Sequence, residues 1–213
     1  MPGRRKNTER GLDHRARALL ELAGTAAIGS PDALRARYEA ARRAGASDGA
    51  VRDLLALCSA FCGWPTCLSA FGELPELARR RSAPPPPRRN AARKAGLATL
   101  RAVYGGNLPA ILARIRSFDP ALCRLVIEVP YGELYQRRGL SLPLKELAAC
   151  VLLAIQGRKR ELHGHLKGAL RVGVSREQLR QAIAISRHLI ADAVAIAPER
   201  ADHALALLER IRG

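Results

Sequence analysis

A helix, a glycine stop, a serine cap and a second helix occur twice in this chain, 128 residues apart. Gly29 aligns with Gly157, Leu34 with Leu162, Ala41 with Ala169, Gly45 with Gly173 and Ser47 with Ser175. Residues 26–65 and 154–193 share nine identities in forty positions, so the residue types at the joints carry more weight than the count. Glycine ends a helix because it takes a left-handed backbone without a Cβ clash. Serine starts one because its hydroxyl accepts a bond from an orphan amide. Two such copies predict a duplicated helical unit, each burying apolar stripes against neighbouring helices.

The remaining punctuation agrees. Ser30-Pro31-Asp32 and Asp119-Pro120 each set a cap before a proline, Ser175 to Gln178 reads as a capping box, and Gly105-Gly106-Asn107 reads as a turn. Ala, Leu and Arg dominate, aromatics are 4%, and no segment alternates with period two. The expected fold is all-α, and a β-sandwich is excluded. With 213 residues, 48% of them apolar, the chain can bury a core.

Pro84-Pro85-Pro86-Pro87 lies between arginines and cannot continue a helix. The expected organisation is a disordered basic tail over 1–11, a first repeat over 12–78, a Pro/Arg linker over 79–90 and a second repeat over 91–213. A role for the prolines as an SH3-type ligand is the sharper alternative. The formal charge is +17. Residues 1–17 contribute +4 and residues 79–94 contribute +7, so 11 of the 17 net charges sit in the tail and linker. Charge runs of this kind are usually solvated; the alternative is a nucleic-acid or acidic-partner binding module, held by counterion release and steeply salt-dependent.

Five cysteines, an odd number with no Cys-x-x-Cys, argue against a disulfide framework. The longest apolar run, Leu147 to Ile155, is too short to span a bilayer, and no apolar segment follows the charged start. The expected location is the cytoplasm, with no membrane partner. Zinc is not expected, since no Cys/His set has structural-site spacing, and no glycine-rich phosphate loop occurs.

Two residues stand out for chemistry. Leu162, Leu166 and Ala169 recur at i, i+4 and i+7, and His165 falls on that inward stripe while His163 projects with Lys167. Imidazole is the usual proton-transfer group near neutral pH. Glu146 opens the preceding apolar helix, joined to the next by a short turn at Gly157, so antiparallel packing can bring the two together. The bland alternatives are a hydrogen-bonded core histidine and a carboxylate favouring a helix N-terminus. Cys58, Cys62 and Cys67 are read as buried small hydrophobes, with a redox pair as alternative. His188 and Asp192, at i and i+4, are read as a structural pair.

The composite of Tyr131-Gly132, Arg138-Gly139-Leu140, Lys145-Glu146-Leu147, Leu162-His163-Gly164-His165 with Ala169-Leu170, and Gly173-Val174-Ser175 closely resembles the carboxymuconolactone decarboxylase family, allied to alkylhydroperoxidase D. Phe61-Cys62-Gly63-Trp64-Pro65 resembles a later element of the same family. The resemblance implies an all-helical alkylhydroperoxidase D-like fold, assembly into homo-oligomers and acid/base roles for Glu146 and His165. It further implies a decarboxylase-like lyase acting on a small organic acid or lactone, with no cofactor and no metal. The thiol pair of the peroxidase branch is replaced by Arg158 and Glu161. A peroxiredoxin-like activity would therefore have to use Cys58, Cys62 or Cys67. The first copy has Arg37 and Ala18 where the second has His165 and Glu146, while the second has Ala191-Asp192-Ala193 for Gly63-Trp64-Pro65. The expected arrangement is a fused pseudo-dimer with one site. Its second repeat supplies Glu146 and His165, its first supplies a wall around Phe61, Trp64 and Pro65, and Arg138 or Lys145 holds a substrate carboxylate. A catalytically dead structural paralogue is the remaining alternative.

Overall fold

The structure is a computed structural model and describes residues 11–29, 31–77, 87–193 and 199–210. The tail over 1–10, Ser30 and most of the Pro/Arg segment lie outside the described residues. The chain is all-α, with no strand among the described residues.

Three helices begin it: α1 (His14–Ile28), α2 (Pro31–Arg43) and α3 (Asp48–Cys62), followed by α4 (Trp64–Gly72). Beyond the proline run come α5 (Arg89–Tyr104), a 3₁₀ turn at Gly105–Asn107, α6 (Leu108–Phe118), α7 (Pro120–Val126) and a π-helical segment, Ile127–Leu134. A second triplet follows, α8 (Leu142–Ile155), α9 (Lys159–Arg171) and α10 (Arg176–Asp192), and α11 (Glu199–Arg210) ends the described chain. α5 starts at Arg89, inside the segment expected to be linker through 90. Arg89 Nε pairs with Glu128, a mostly buried carboxylate of the π segment, at 3.1 Å, and that anchor extends the helix toward the prolines.

The repeat is wider than the alignment of residues 26–65 suggested. Adding 128 to the bounds of α2 reproduces α9, and α1 and α3 land on α8 and α10 within two residues. The joints repeat bond for bond. Asp13 and Ser141 cap the first helices of the triplets, and Ser47 and Ser175 cap the third. Ala46 N donates to Ala41 O and Val174 N to Ala169 O, both at 2.9 Å. Gly45 and Gly173 turn there at φ 86° and 97°, a conformation that excludes most side chains. Ser175 and Gln178 form the expected capping box.

α1, α8 and α10 pack on one another, and α3 packs on α1 and α8, so the two triplets share one core. α8 is its axis: every residue from Leu144 to Ile155 is buried. α9 lies between α8 and α5, and α5 in turn packs on the π segment. That last contact needs glycine. A Cβ on Gly96 would run into the Ile127 carbonyl, and one on Gly132 into the Ala92 carbonyl. Two missing side chains thus let α5 and the π segment approach backbone to backbone, above α9.

Candidate active site

Glu146 is fully buried on α8 and His165 is 4% exposed on α9. Gly157, at φ 63°, turns the chain between them. The two side chains meet: His165 Nδ1 lies 3.0 Å from Glu146 Oε2. Gly168, one turn beyond His165, makes the space. A Cβ there would sit 2.8 Å from Glu146 Oε2 and 2.5 Å from Val103 Cγ1.

Three of the chain's four tyrosines complete the group. Tyr135 donates its hydroxyl to Glu146 Oε1 at 2.7 Å. Tyr104, at the end of α5, places its hydroxyl 3.2 Å from His165 Nε2 and 2.8 Å from the hydroxyl of Tyr131. The π turn brings Tyr131 and Tyr135 in together, their rings 4.8 Å apart, with Tyr135 N closing an i+5 bond of 2.8 Å to Pro130 O. An ionised carboxylate only accepts, so with a neutral imidazole the network takes one sense. Tyr135 and His165 Nδ1–H donate to Glu146, Tyr104 donates to His165 Nε2, and Tyr131 donates to Tyr104. Burial pushes the phenols of Tyr131 and Tyr135 well up and Tyr104 up too, so all three stay protonated donors.

The first repeat contributes Phe61, whose ring meets His165 edge-on at 5.4 Å. Gln156 Nε2 fixes the end of α3, bonding Phe61 O at 2.8 Å and Cys62 Sγ at 3.0 Å. Trp64 is not brought to the pair. It is 63% exposed at the start of α4, with Pro65 exposed beside it, because Gly63 turns the chain outward at φ 83°. Lys145 is buried and donates to Tyr135 O at 2.7 Å and Arg137 O at 2.5 Å. Burial draws its pKa down, with the Asp53 charge opposing. Its donors therefore hold the tyrosine-bearing segment, a positioning task in place of the expected grip on a substrate. Arg138 is exposed on the same segment.

The cysteines sit in the opposite of an activating environment. Cys58 is fully buried, and burial pushes its thiol well up. Burial raises Cys62 to about 11 and Cys67 to a lesser degree. Cys150, one turn from Glu146, is raised well up by burial and then by the carboxylate. His163 is partly buried, lowered by burial and by Lys167, while His188 pairs with Asp192 at 3.6 Å on an exposed face. Among the described residues no group of three or more His, Cys, Asp and Glu side chains lies together as a metal site, and no helix is long and apolar enough to cross a membrane.

The sequence profile of the carboxymuconolactone decarboxylase family matches residues 3–75 and 120–209. The chain belongs to that family. The two matched regions contain the two helical triplets, so the family unit occurs twice in one chain, without the Cys-x-x-Cys pair. A search of curated proteins returned no match. Within the carboxymuconolactone decarboxylase unit, sequence reasoning paired Glu146 with His165, which the structure places in contact, but gave no role to Tyr104, Tyr131 or Tyr135. The available signal was scarcity: in a chain with only four tyrosines, two stand in the family-like motif at 131–135.

Proposed function

We propose that this carboxymuconolactone decarboxylase-family protein is a proton-transfer enzyme, releasing carbon dioxide from a small organic acid or carboxylated lactone. The observation that carries this is the buried Glu146–His165 contact at 3.0 Å, extended to Tyr104 at 3.2 Å. Glu146 fixes the imidazole through Nδ1, which leaves Nε2 as the reacting nitrogen. Tyr104 and Phe61, which flank His165, are partly exposed, and the proposed approach to Nε2 lies between them. In the step proposed, the bond between the substrate's α-carbon and its carboxylate breaks. Its electron pair stays on the α-carbon, delocalised into an adjacent carbonyl, and CO₂ leaves. Beforehand, Nε2 takes the hydroxyl proton of the partly exposed Tyr104, which regains one from solvent; the imidazolium so formed gives its Nε2 proton to that carbon and returns to neutral imidazole. Glu146 stabilises the imidazolium by charge, and exposed Arg138 steers the anionic substrate. Apolar side chains exposed on α6 and α7, Phe118, Leu122 and Leu125, favour self-assembly.

Thiol-based peroxide reduction fits less well, because it needs a thiolate and burial raises every one of Cys58, Cys62 and Cys67. The test is CO₂ release from a panel of β-oxo acids and carboxylated lactones. Glu146→Gln is expected to lower the rate about 10²–10⁴-fold, and the Cys58/Cys62/Cys67→Ser variant to retain it. A fully active Glu146→Gln, or activity lost only with the thiols, overturns the proposal.

A further inference from the structure

The place that His165 occupies has a counterpart in the first repeat, and it is built differently. Arg37 on α2 stands 128 residues before His165, and Ala18 on α1 before Glu146. Glu21, one turn further along α1, takes over as partner: Arg37 Nη1 lies 2.8 Å from Glu21 Oε2. Arg17 stands where the second repeat has Lys145, and Leu189 on α10 where α3 has Phe61. In the second repeat Lys145 turns to backbone carbonyls and tyrosines from α5 and the π segment cover the histidine. In the first, the same positions face a cleft of about 170 Å³, lined by Arg17, Glu21, Arg37, Ile185, His188 and Leu189.

We propose that this cleft is a second ligand site, for a small organic carboxylate with an apolar body. A guanidinium keeps its proton, so Arg37 cannot do the acid/base work of a histidine, but it offers a carboxylate two parallel N–H donors. Glu21 balances one of the two arginines. Arg17, whose Nη2 reaches Gln181 Oε1 at 3.3 Å, supplies the positive charge at the mouth. Ile185 and Leu189, buried on α10, form an apolar wall for the hydrocarbon part. A volume of about 170 Å³ is below that of drug-sized pockets, roughly 300–1,000 Å³, and restricts the occupant to a small acid no larger than a single ring with its carboxylate. The cleft is independent of whether Glu146 and His165 catalyse anything.

The test is titration of the full chain with benzoate, followed by the methyl NMR signals of Ile185 and Leu189, with benzyl alcohol as the neutral control. Benzoate is expected to shift both methyls saturably and benzyl alcohol to leave them still. Arg17→Gln/Arg37→Gln should weaken binding at least tenfold, and His165→Gln should not. Ala184→Phe keeps both arginines and fills the cleft from its α10 side; it should block binding equally, which guards against an arginine variant that fails to fold. Methyls that do not move with benzoate, or benzoate affinity unchanged in Ala184→Phe, overturn the proposal.

Discussion

Both oxygens of Glu146 have donors, and that is why a wholly buried carboxylate is tolerated. Tyr135→Phe removes one donor without changing shape. The expected cost is about 1–3 kcal/mol, read from denaturant unfolding, because Oε1 would be left dry and unpaired. Trp64→Ala is expected to change stability by no more than about 0.5 kcal/mol, as for other exposed side chains; a large loss would place the indole in a contact the structure lacks. His165 was legible in the sequence because Leu162, Leu166 and Ala169 define its face locally. Tyr104 was not, because its partners lie 61 and 27 residues away. No window around Tyr104 contains the histidine that gives it a role.

Helix ends were legible where one residue sets the backbone. Ser47, Asp119 and Ser175 cap as expected, and Gly45, Gly157 and Gly173 take the left-handed turns expected of them. The π segment was not, since an i+5 bond leaves no periodicity that differs clearly from an α-helix with a proline in it. Gly96, Gly132 and Gly168 were also silent. None has positive φ, and each is required only by what packs against it. Gly96→Ala is expected to destabilise by about 1–3 kcal/mol or more, as overpacking against rigid backbone does. Gly168→Ala meets a side chain and a carboxylate instead. It is expected to cost less stability, yet to lower CO₂ release by displacing Glu146. Equal stability losses with unchanged activity would contradict the proposed spacing role of Gly168.

The whole molecule is built around two copies of one helical triplet sharing a core, one keeping a Glu–His pair and the other an Arg–Glu pair. The all-α class and the duplication were readable from glycine and serine positions. The one-sided site was readable only in outline, because α5 and the π segment, which finish it, lie outside the repeated triplets. Buried thiols and phenols give the molecule a pH signature. Cys58, Cys62, Cys150, Tyr104, Tyr131 and Tyr135 are all raised by burial. Below about pH 8.5 folded and unfolded chains both keep these protons. Above it the unfolded chain ionises its thiols first, and near pH 10 its phenols, while the folded chain does not. Stability is therefore expected to fall as pH rises from about 8.5, with the Cys62 contribution gone once pH passes about 11. Melting temperatures that stay flat to about pH 10.5 would contradict this burial. The central claim, that the buried Glu146–His165 pair moves a proton, is tested most directly by comparing the wild-type rate of CO₂ release with that of His165→Gln. The account predicts a loss of about 10²–10⁴-fold with the fold intact; an unchanged rate would contradict it.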